Sequence, residues 1–98
     1  MIIKEILELT EKATKPVIKI LRKNEHFKVI GLGLNKDVEL KEHKTALPAK
    51  LFVLKGKVAY QEGEKTTVLN QYEEREIPIN VLHAVKGLEA SLCILTQG

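Results

Sequence analysis

Three histidines, two tyrosines and one cysteine are the residues of this 98-residue chain best suited to chemistry. His43 stands just before an apolar run, Leu51 to Leu54, and His83 closes the stretch Ile77-Pro78-Ile79-Asn80-Val81-Leu82. A neutral imidazole is a common metal ligand and an equally good hydrogen-bond partner. If these two face one interior, they suit a metal or a small polar molecule. Tyr60 could add a hydroxyl group to that interior. His26 lies in a polar turn beside Phe27 and is expected to be exposed. Cys93 has apolar neighbours in Ser91 to Leu95, so an inert buried thiol is its default role. A catalytic thiolate would need a cationic, partly exposed setting, of which the sequence gives no sign. Ser91 has no histidine at triad spacing. Gly31 and Gly33 lack the helix and lysine that follow a phosphate loop.

The elements that must position these residues read as strands. Ile3, Ile6, Leu7 and Leu9 have helical spacing over residues 3 to 12, with a strand as the runner-up. Pro16 ends any helix there and pushes Lys15 toward extended geometry. Val17 to Arg22, Phe27 to Leu34, Val38 to Lys44, Leu51 to Leu54, Val58 to Tyr60, Thr66 to Leu69, His83 to Lys86 and Glu89 to Leu95 carry β patterns between turn signals. In Val38 to Lys44, strict alternation sets Val38, Leu40 and Glu42 against Glu39, Lys41 and His43. Glu42 and His43 cannot then both face inward without a bulge. Gly31 and Gly33 inside an apolar strand point to a bulge or a close backbone approach. Asn70 to Glu76 is polar and charged. Its acidic run, with Arg75 inside, reads as a solvated face, and Tyr72 as a loop residue. About eight to ten short strands with regular turns make an all-β sandwich or barrel.

Composition narrows the class. The length fits one domain and one core. Residues 1–27 are expected to form a helix or arm plus a first strand. No apolar run approaches the roughly 20 residues of a membrane span, and the charged N-terminus is unlike a signal peptide. A single cysteine fits a reducing cytoplasm. The net charge of +3 falls wholly within residues 1–28, which hold seven Lys or Arg against four Glu. With four aromatics and no Trp, little is available to stack on bases, so no nucleic-acid partner is expected.

Two stretches resemble the sequence motifs of the cupin superfamily, which are small jelly-roll barrels. The first motif runs G-x5-H-x-H-x3-4-E-x6-G and the second G-x5-P-x-G-x2-H-x3-N. Leu51 to Tyr60 is similar to the end of the first, with Gly56 as its closing glycine. Ile77 to His83 is similar to the second, with Pro78 and His83 in place. The resemblance spans roughly residues 28–96. It implies a small jelly-roll barrel, with a short N-terminal helix or arm outside and His43 and His83 at the barrel mouth. The family's other ligand positions fall on Thr45 and Ala49, and its motif-two glycines and asparagine fall on Tyr72, Asn80 and Gly87. Of four usual ligands only His43 and His83 remain. The chain is most similar to short cupins in which an E-H-K stretch, here Glu42-His43-Lys44, carries one histidine.

Two functions of different class follow from the resemblance. One is a non-catalytic or sensing module that binds a small polar molecule through His43, Thr45, Tyr60 and His83. The other is a metal-dependent enzyme of oxygenase or isomerase type, with His43 and His83 holding Fe, Mn, Ni or Zn. The loss of ligands at Thr45 and Ala49 favours the first. Strands apolar on both faces, Phe27 to Leu34 and Lys50 to Lys55, need outer cover. The N-terminal segment or a second copy of the chain would supply it, and a symmetric homodimer is expected.

Overall fold

The spacing of Ile3, Ile6 and Leu7 produces a helix, α1 (Ile2–Thr10), whose Ile6 and Thr10 are buried. Pro16 and the turn before it separate α1 from nine strands: β1 (Val17–Lys23), β2 (Lys28–Leu34), β3 (Glu39–His43), β4 (Ala49–Lys55), β5 (Val58–Glu62), β6 (Lys65–Leu69), β7 (Glu74–Ile77), β8 (His83–Gly87) and β9 (Ser91–Gln97). The computed structural model describes residues 2–98; Met1, counted above in the single domain, lies outside the described residues. The strands form two antiparallel sheets, β1-β2-β9-β4-β7 and β3-β8-β5-β6. The fold is the all-β jelly roll expected, with its helix outside. None of its described helices is long and apolar enough to cross a membrane.

Alternation along each strand fills the space between the sheets. Ala49, Leu51 and Val53 of β4 point inward, as do Val58 and Tyr60 of β5. Cys93 occupies the middle of the central strand β9, paired with Leu32 on one side and Val53 on the other. It is completely buried, and burial pushes its thiol up to about 12. The outer face of β2 and β9 is covered by α1. Gly31 and Gly33 are where that helix approaches: a Cβ at Gly31 would collide with Ile6, and one at Gly33 with Thr10. The glycine pair therefore marks a close backbone approach, with β2 in unbroken register to β9. Thr10 Oγ1 donates to Ile6 O at 2.6 Å, which closes its polar group within the helix.

Two expectations need correction. Asn70 to Glu76 is not wholly a solvated stretch, because Glu74 begins β7, which pairs with β4. Glu74 and Glu76 are exposed and flank Lys50 at 3.3 and 3.8 Å. Arg75 lies opposite Leu51, on the inner face, and is only partly exposed. The strict alternation of Val38 to Lys44 also fails. Leu40 pairs with Val85 and His43 with His83, so three steps along β3 match two along β8. This β-bulge turns both Leu40 and His43 inward.

The backbone keeps conformations that the residues at those places do not favour. Tyr72 and Asn80, which stand at the two glycine positions of the second motif, have φ of 69° and 60°. Asparagine tolerates that left-handed region, whereas tyrosine rarely enters it.

Candidate functional site

The site grows from the β3–β8 pair. The bulge brings His43 onto the same inner face as His83, with ring centroids 4.1 Å apart and planes tilted by 58°. His83 is 2% exposed, and His43 is half-buried. Each Nδ1 lies against the carbonyl two residues earlier: His43 on Lys41 O at 2.9 Å, His83 on Val81 O at 3.1 Å. A carbonyl only accepts, so each Nδ1 carries the proton and donates. In its neutral form each ring is thereby left with an Nε2 lone pair.

Tyr60 comes from β5, the neighbour of β8, and its ring stacks on His83 at 5.9 Å. It is 1% exposed, and its hydroxyl donates to Glu62 Oε1 at 2.9 Å. Arg75 reaches across from the other sheet. Its guanidinium carbon lies 5.3 Å from the Tyr60 ring centre, and a terminal nitrogen lies 3.7 Å from Glu62. The buried Arg75 Nε has no hydrogen-bond partner among the described residues. The interior thus holds a contiguous polar row: His43, His83, Tyr60, Glu62 and Arg75.

The electrostatics follow from this packing. Burial, then the hydrogen bond and charge of Glu62, push the Tyr60 hydroxyl up to about 12 against the opposing Arg75 charge. His83 is held below the ordinary imidazole value, first by burial and then by His43, while Val81 O and Glu62 oppose the shift. The unfolded chain therefore takes up this proton at a higher pH than the folded one. The stability that His83 contributes is full above about 6.5, the ordinary value, and is lost as pH falls through its lower folded value. Urea unfolding is expected to give lower stability at pH 5 than at pH 7. In His83→Gln that part of the slope disappears; an unchanged slope in the variant refutes the assignment.

Thr45 is buried, but its own loop engages its hydroxyl. Oγ1 donates to Leu47 O at 2.9 Å and accepts from Leu47 N–H at 3.3 Å. Its carbonyl accepts from Asn80 N–H at 2.9 Å, which ties the loop before β4 to the loop before β8. Thr45 thus positions the two loops that flank the histidines. His26 is exposed in the β1–β2 turn, where Asn24 Oδ1 accepts from its backbone N–H. The reading of the sequence missed Glu62 and Arg75. Their signal was alternation: Glu62 follows Tyr60 by two, and Arg75 precedes the buried Ile77 by two.

A groove of about 200 Å³ opens beside the pair, between the edges of β1 and β3, lined by Ile18, Ile30, Leu32, Leu40, Leu95 and His43. A larger hollow of about 290 Å³ is lined by Ala59, Gln61, Ala84 and Lys86 on the opposite, outer face of the second sheet, and includes neither imidazole.

The residues do not fit a resident metal. First-row metals are held tightly by three or more protein ligands. Two imidazole nitrogens are offered here, and Glu62, the carboxylate opposite His83 in the β5–β8 pair, is engaged by Tyr60 and Arg75. Among the described residues no group of three His, Cys, Asp or Glu is placed to hold a metal ion.

Two antiparallel sheets packed around an apolar core, with an imidazole pair between neighbouring strands, define a jelly roll. No protein-family model matches the sequence, and a search of curated proteins gives no match. Solved structures do match. A cupin superfamily protein from Desulfitobacterium hafniense is 11% identical with a TM-score of 0.80, over 84% of this chain and 75% of that one. A cupin-like protein from Thermotoga maritima is 24% identical with a TM-score of 0.78, over 84% and 67%. An RmlC-like cupin with a double-stranded β-helix fold from Methanocaldococcus jannaschii is 16% identical with a TM-score of 0.78, over 88% and 82%. At these identities the likeness is one of fold: the chain has the cupin double-stranded β-helix fold.

Proposed function

We propose that the barrel binds a small polar molecule without catalysing its conversion, as a binding or sensing module does. The ligand donates hydrogens to His43 and His83. The observation that supports this reading is the pair of free Nε2 atoms. Both Nδ1 protons are committed to backbone carbonyls, and burial favours the neutral form of His83. With both rings neutral the pair offers acceptors at Nε2, and a ligand with hydroxyl or amine hydrogens complements it. A vicinal diol can give one O–H to each ring. Tyr60 stacks behind His83 and fixes its plane. Arg75 Nε adds a buried donor deeper in the row. Fold alone specifies none of this, since one fold hosts many functions.

The test uses propylene glycol as probe and histidine ring nitrogens as reporters. Titration at pH 7.5 is expected to shift the Nε2 resonances of His43 and His83 and leave His26, in its exposed turn, unmoved. His83→Gln is expected to weaken the response at least tenfold. Equal movement of all three histidines, or none at all, defeats the reading.

A further inference from the structure

We infer that the ligand of the imidazole pair is amphipathic: its hydroxyl head meets His43 and His83, and a short apolar body lies in the groove between β1 and β3. This rests on the binding role proposed above. It starts from an anomaly in β1. Ile18 pairs with Leu32, a fully buried core residue, so it faces the barrel side of its sheet. Yet Ile18 remains 52% exposed. β1 and β3 are edge strands of different sheets and do not pair with each other. Where they part, the inner apolar face reaches solvent.

The opening has the size and chemistry of a ligand subsite. It is about 200 Å³, and apart from His43 and Gln97 its lining is aliphatic: Ile18, Ile30, Leu32, Leu40 and Leu95. No charged side chain lines it. An apolar cavity of about 150 Å³ suffices to take up benzene, so this volume matches a ring or a short alkyl chain. His43 belongs both to the groove and to the imidazole pair, so a molecule lying in the groove ends against the His43 ring, with the His83 ring next to it at 4.1 Å between centroids. A separate hollow that shares Leu40 is lined by Lys15, Asp37, Glu39 and Lys41 together with Thr14, Pro16 and Val38. A charged or fully hydroxylated body would gain nothing from the aliphatic walls, which sets this ligand class apart from free sugars.

Straight-chain vicinal diols of three to six carbons test the inference, with the shifts of His43 and His83 as readout. Each added methylene is expected to tighten binding about two- to fourfold, hence roughly tenfold or more from three carbons to six. Ile18→Gln, at a half-exposed position, is expected to remove most of that gain and leave propylene glycol binding unchanged. In the wild-type protein, nuclear Overhauser contacts from the six-carbon diol are expected at the methyls of Ile18, Ile30 and Leu95. These contacts need no variant to fold. Equal affinities along the series, with both histidines still responding, overturn the apolar subsite and leave the head-group reading standing. Failure of every diol to move either histidine overturns both. A chain-length gain unaffected by Ile18→Gln, without contacts to the groove methyls, places the alkyl chain elsewhere and also overturns the inference.

Discussion

Replacement of Tyr60 by alanine is expected to cost about 3–5 kcal/mol of folding free energy, the range for deleting a buried aromatic side chain. Domains of this size are stable by about 5–15 kcal/mol, so the variant should sit near its unfolding threshold. The ring touches both halves of the interior. It stacks on His83 within its own sheet and lies under the Arg75 guanidinium from the other. Its loss would open a cavity between sheets and leave two polar side chains without their packing surface. Tyr60→Phe separates the hydroxyl from the ring. It keeps the packing and removes the hydrogen bond to Glu62, for a loss of about 1 kcal/mol.

Urea unfolding followed by far-ultraviolet circular dichroism measures both variants. A cost below about 1 kcal/mol for Tyr60→Ala would contradict the buried position described for the ring. High pH gives a second check. The folded value near 12 lies above the ordinary value of 10. Tyr60 therefore contributes stability fully below 10, and that contribution is lost as pH rises through the folded value. The phenolate absorbance step near pH 12 should be absent from Tyr60→Phe.

The second large effect is expected at Gly33. Gly33→Ala places a methyl group onto Thr10 Oγ1, with Ile6 Cγ2 at 3.0 Å and Thr10 Cβ at 3.2 Å. Overpacking of this kind costs about 1–3 kcal/mol. The helix gives way before the sheet does, because Gly33 is hydrogen-bonded into β2 between β1 and β9. Amide exchange in residues 2–10 should quicken more than exchange in β9. Removing the opposing atom should restore part of the loss. The pair Gly33→Ala with Thr10→Ala is expected to be more stable than the two single effects would sum to, as for residues in contact. Strict additivity would show that α1 does not rest on this glycine.

The helix, the β rhythm and the placing of His43 and His83 were legible because they depend on spacing within short windows. Ile3, Ile6 and Leu7 recur at helical intervals, and each strand is bracketed by its own turn residues. The histidines were located by their distance from Gly56 and Pro78. Those distances hold although Tyr72 and Asn80 stand at the glycine positions of the motif, and both residues have left-handed backbone. What escaped notice depends on contacts between distant segments. Counting alternate residues put His43 opposite Leu40, and only the pairing with β8 inserts the extra residue that turns both inward. Arg75 stood in a run of carboxylates that reads as water-facing. Its partner strand β4, about twenty residues earlier, decides that it points the other way. Glu62 shares the parity of Tyr60, but its bond to that hydroxyl depends on rotamers no pattern encodes. Thr45 had the right address, yet its hydroxyl closes the turn with Leu47.

Cys93 gives the chain a reporter of its own. A thiol at the centre of the middle strand, fully enclosed and held far from ionisation, reacts with an alkylating reagent only while the sheet is open. Its labelling rate therefore counts openings of the whole barrel. Any compound that binds only the closed form slows that count by the factor one plus its concentration over its dissociation constant. Mixtures of unidentified metabolites can be screened this way, by the protection they confer on one sulfur atom.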